Sequence, residues 1–203
     1  MKKSKGVELY YDPFFGIAIN NNKRCIMGKD ELLLELKQVL LREVPNAVQK
    51  IKLNQGDKVC YISLLGTDYE PVLGLITLGI ESYRNSMIEE SGTDNKWYLW
   101  NSGEMPARYQ TGFEDQDQTF QQNQETLMNL FGNEKWEEFW EDCQTLRFEV
   151  ANKLNTYNWS DIIPISDDFV VYSDWESIDV SNGDLAKSIP QEKIEILVEK
   201  CLI

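Results

Sequence analysis

Two short apolar runs constrain this chain most. Lys58 to Leu65 reads KVCYISLL and Val72 to Leu78 reads VLGLITL. Both have strand length and are rich in β-branched, aliphatic and aromatic residues, and the turn-forming stretch GTDYEP lies between them. Neither run alternates apolar with polar residues. That predicts strands covered on both faces or central in a sheet. Gly74 and the short length argue against helices here.

The cover has to come from helices. KDELLLELKQVLLREVP places Leu32, Leu36, Val39 and Leu40 at helical spacing, with Leu33 and Leu41 widening the stripe. Asp30 and Glu31 suit the first turn, and Pro45 predicts the stop. A second helix is expected over Gln121 to Phe131. The longest is expected over EKWEEFWEDCQTLRFEVANKLNTYNW, where Trp136, Phe139, Trp140, Cys143, Leu146, Val150, Leu154 and Tyr157 form one stripe. At the end of the chain, Ser188 followed by Gln191 fits a helix start, with Ile194, Leu197, Val198 and Cys201 facing inward.

Further strands are expected at Lys96 to Trp100 and Asp168 to Tyr172. A hairpin is expected across Asn20–Asn22, pairing Phe14–Ile19 with Arg24–Met27. Residues 79–95 read as a short helix or irregular segment, and the polar residues 101–120 as a long loop. Helices and strands do not alternate regularly, and no glycine-rich phosphate loop follows a strand. The fold class expected is α+β: one domain over residues 1–203, a largely antiparallel sheet with helices packed against it.

The chain of 203 residues has no histidine. That removes Ser-His-Asp and Cys-His nucleophilic sites, histidine acid–base chemistry and histidine metal ligation. Cys25, Cys60, Cys143 and Cys201 are widely spaced and form no C-x-x-C pair, which fits reduced cysteines in a cytoplasmic protein. No apolar run has the length of a signal or membrane segment, so no membrane association is expected. The net charge is −14 and uneven: residues 81–150 carry 15 acidic and 5 basic side chains, whereas residues 1–80 carry 9 and 11. Acidity of this kind repels nucleic acid and attracts a basic protein partner.

The candidate binding residues follow from these features. In NKWYLWNSGEMP, Tyr98 and Trp100 are of the types enriched in contact hot spots, and Glu104 lies four residues before Arg108, where the two would pair. Glu114, Asp115 and Asp117 cluster in FEDQDQTF without the glycine and closing glutamate of a calcium loop, so no metal is assigned. Glu137, Glu138, Glu141 and Asp142 supply the negative side of the long helix. No catalytic residue and no cofactor are assigned. A glycosidase-like acid pair such as Glu104 with Asp115 has no specificity in a chain with 34 acids.

Three stretches together resemble the bacterial domain-of-unknown-function family 4303. KVCYISLLGTDYEPV is similar to that family's early strand and turn. NKWYLWNSGEMP is similar to its tryptophan-centred segment, with Met105 standing where an aromatic is frequent. FVVYSDWE with DLAKSIPQEKIEIL is similar to its C-terminal half. The resemblance spans about residues 57–200. It implies a bacterial protein without an established activity and, by analogy with families of similar make-up, an immunity protein of a toxin system. The function expected is a non-enzymatic acidic binding protein, of the kind that inhibits a basic toxin. A carboxylate-based hydrolase and a scaffold or regulatory domain are the alternatives.

Overall fold

The two apolar runs lie side by side as antiparallel strands, β1 (Val59–Leu65) and β2 (Leu75–Ile80). The computed structural model describes residues 27–113, 117–131, 135–174 and 183–203. The hairpin expected across Asn20–Asn22, and Cys25, fall outside these residues. The short β3 (Gln110–Gly112) joins β2 antiparallel, and β4 (Ile165–Asp174) joins the free edge of β1 in parallel, giving the order β3-β2-β1-β4. The sheet is largely antiparallel with one parallel pair, and the fold is α+β.

Helices cover both faces, which is why the strands show no polar alternation. On one face lie α1 (Lys29–Lys50), α4 (Gln118–Phe131) and α5 (Trp136–Leu154). Their apolar stripes meet Ile62, Leu64, Ile76, Leu78 and Val171. The other face carries α2 (Glu81–Ser91), α3 (Lys96–Trp100) and α7 (Gln191–Glu199), over Cys60, Tyr61, Val170 and Tyr172. The short α6 (Asp184–Ser188) touches both β4 and α5. A bulge between Val59 and Tyr61 puts Cys60 and Tyr61 on the same face. Tyr61 then lies across Gly79 of β2, where a Cβ would come within 2.2 Å of its ring.

Several expectations need correction. α1 does not stop at Pro45 but runs on to Lys50. Lys96–Trp100 is a helix turn, because Asn95 caps it: its side chain accepts from the Tyr98 amide at 3.3 Å. Residues 101–112 hold two 3-10 turns and β3, and α4 begins at Gln118. The long helix ends at Leu154, where the Asn155 side chain takes over. Its amide donates to the carbonyls of Ala151, Val171 and Ser188, and its oxygen accepts from the Val171 amide. Ser188 caps nothing in α7. Its hydroxyl accepts from the Ser173 amide and so pins β4.

Val198 and Cys201 face solvent, while Leu197 and Leu202 are buried. The chain reverses after Lys200 in a Schellman turn: the Cys201 amide donates to Val198 O and the Leu202 amide to Leu197 O. That reversal takes Cys201 out of the helical phase.

Candidate functional site

The aromatic segment is part of the core. Trp100 is fully buried among Tyr61 and Tyr172, with ring centroids 5.8 and 5.5 Å away. Its indole N–H donates to the carbonyl of Leu202 at 2.9 Å, and its own carbonyl accepts from the Tyr172 hydroxyl at 2.6 Å. One helical turn earlier, the Lys96 ammonium donates to the carbonyl of Cys201. The segment therefore clasps the C-terminal turn, and Trp100 presents no surface to a partner. Tyr98 is half-buried and Glu104 exposed. Arg108 does not pair with Glu104. It donates to the hydroxyls of Tyr83 and Tyr109 instead.

The acidic candidates gather on the opposite helical layer. Glu137, Glu138 and Glu141 are exposed on α5, with Asp142 half-buried beside them. Lys29 of α1 reaches Asp142 at 2.7 Å and Glu138 at 3.9 Å. The hydrogen bond to Asp142 raises the Lys29 pKa. Two turns along, Lys37 meets Glu149 at 2.7 Å. Asp117 caps α4, accepting from the amides of Thr119 and Phe120, and reaches Arg42 at 3.2 Å. Glu114 and Asp115 lie outside the described residues. The structure thus brings Asp117, Glu138, Glu141 and Asp142 onto the α1–α5 layer, and leaves Tyr98, Trp100 and Glu104 across the sheet from them.

Among the described residues, three shallow grooves run over this layer. The largest, about 640 Å³, follows the outward stripe of α5 through Glu141, Thr145, Phe148 and Glu149 to Lys187 of α6. A second, about 470 Å³, follows the outward stripe of α1 through Glu31, Leu34, Glu35 and Gln38 to Asp117. A third, about 220 Å³, lies between α1 and α5 and shares Leu34 with one and Thr145 and Glu149 with the other. The three form one corrugated face. Leu34, 56% exposed, sits at its centre. Glu31, Glu35 and Leu34 were not candidates from sequence. Their only signal is that they fall off the inward stripe of α1.

A second acidic cluster lies on the far side. Glu81, Asp167 and Asp168 bring carboxylate oxygens within 4.8 Å of one another, close enough for one divalent cation. The protein fills that role with its own cations. Buried Asp168 accepts from Arg84 at 2.6 Å and from Ser166, and Lys200 lies 3.6 Å away. Lys200 also bonds Asp167 at 2.7 Å, which lowers the Asp167 pKa. In α5 the buried Arg147 donates to Ser173 and to the carbonyls of Pro71 and Val72, and burial lowers its pKa to about 10. Burial raises the thiols of Cys60 and Cys143 to about 12, which makes both poor nucleophiles.

No protein-family model matches this chain, and no curated protein or solved structure matches it either. Among the described residues, no helix is long and apolar enough to cross a membrane.

Proposed function

We propose that this chain is a non-enzymatic acidic binding protein that meets a basic protein partner through the α1–α5 face. One observation carries the reading: acids far apart in sequence, Glu31, Glu35, Asp117, Glu141 and Glu149, converge around three joined grooves on one layer. Glu35 and Glu141 have no cationic partner among the described residues, so their charge is available to steer a basic protein. The grooves are open and shallow, as suits a protein surface more than a small substrate. A cytoplasmic, bacterial, immunity-type inhibitor of a basic toxin is the class this describes best, and the resemblance to family 4303 points the same way. The hydrolase reading has less support, because Glu104 sits exposed on a 3-10 turn and lines none of these grooves.

The test is affinity capture from source cells at low salt, with partners identified by mass spectrometry. A single basic protein, released as salt rises, is expected. Retention of no basic protein would overturn the proposal.

A further inference from the structure

We propose that the groove between α1 and α5 receives an amphipathic helix whose apolar stripe is flanked by Lys and Arg, with Leu34 as the apolar contact point. This rests on the acidic-binding reading above and adds the shape and chemistry of what is bound.

The pairs Lys29–Asp142 and Lys37–Glu149 step forward together along both helices. Each step is about two turns, or roughly 11 Å. α1 and α5 therefore run parallel, and the groove between them is straight. Its apolar floor is Leu33, Leu34 and Leu146. A leucine more than half exposed at the meeting point of two grooves gives an incoming apolar stripe something to cover.

The charges define the flanks of the ligand. Glu35 lies beyond α1 in the second groove and Glu141 beyond α5 in the largest, and neither has a cationic partner among the described residues. The ion pairs Lys29–Asp142 and Lys37–Glu149 are exposed enough that exchanging one for an intermolecular pair costs little. Apolar residues in the middle and carboxylates at the sides match a helix with a leucine-type stripe between basic ones, the helix-in-groove mode. A peptide added as a strand would need a free sheet edge, and this face is made of helices. A second copy would bring like charge against like charge.

The experiment uses the full chain and a fluorescein-labelled peptide of leucine and lysine placed at helical spacing. Its control has the same composition, scrambled so that no apolar face forms. Anisotropy should show the patterned peptide binding about tenfold tighter or more. Leu34→Ala and the double variant Glu35→Lys/Glu141→Lys should each lose about tenfold. Leu34 and Glu141 are exposed and Glu35 is half-buried, and circular dichroism should show the variants folded. Equal binding of both peptides, unchanged by Leu34→Ala, would overturn this inference while leaving the acidic-binding reading standing. Binding of neither peptide would also overturn this inference, while capture of a basic protein would still decide the acidic-binding reading. Self-association in sedimentation that depends on Leu34 would assign the groove to a second copy and overturn the amphipathic partner.

Discussion

The Tyr157 hydroxyl donates to the carbonyl of Leu41 at 3.3 Å. Leu41 is four residues before Pro45, which has no N–H to give it. The side chain that follows α5 thus serves the acceptor that proline leaves open in α1, and the helix continues to Lys50. Tyr157→Phe should cost about 1 kcal/mol in urea denaturation. In a Pro45→Ala background, where the substituted backbone supplies the missing donor, most of that cost should vanish. Equal costs in both backgrounds would show that the hydroxyl does not compensate for the proline.

Cys201 carries a left-handed backbone, φ 53°, at the Schellman turn that ends α7. Glycine holds that conformation without a Cβ penalty, so Cys201→Gly should stabilise the protein by about 1 kcal/mol. Thermal unfolding should show a raised midpoint for Cys201→Gly and no rise for Cys201→Ala, which keeps the Cβ.

Arg84 and Asp168 form an ion pair with side chains only 4% and 1% exposed. Removing Arg84 leaves buried Asp168 with the more distant Lys200, 3.6 Å away, as its cation, so Arg84→Met should cost up to about 3–5 kcal/mol. Arg84→Met combined with Asp168→Leu should recover much of the loss in chemical denaturation. Simple additivity of the two single losses would contradict the pairing.

Burial raises four groups together: the thiols of Cys60 and Cys143 to about 12, and the hydroxyls of Tyr61 and Tyr172 well above 10. In the unfolded chain these groups lose their protons from about pH 9 upward. Above that pH the unfolded state binds fewer protons than the folded one, so stability falls as pH rises. Their contribution should be complete below about pH 9 and decline towards about pH 12. Denaturation midpoints across this range, with tyrosinate absorbance followed in parallel, check the sign. A flat profile would contradict it.

The strands and the core were legible because burial on both faces leaves continuous apolar runs in β1 and β2. The long-range side-chain contacts were not. Nothing near Pro45 announces Tyr157, and nothing near Trp100 announces Leu202. Lys96–Trp100 has strand composition, yet the Asn95 cap and the distant carbonyls make it helical. The acids were visible as a charge excess, but charge along a sequence says little about sides. The exposed pair Glu89–Glu90 and the α5 acids belong to one acidic stretch and end on opposite layers of the sheet.

That separation supplies the most direct test. Glu35→Lys/Glu141→Lys reverses two charges on the α1–α5 face, and Glu89→Lys/Glu90→Lys reverses two on α2, with the same change in net charge. Binding of the captured basic partner should be measured for both at low salt. A loss of about tenfold or more in the first variant, with little change in the second, is the result predicted. Equal losses in the two would mean that net charge alone draws the partner, and would contradict a binding face on α1 and α5.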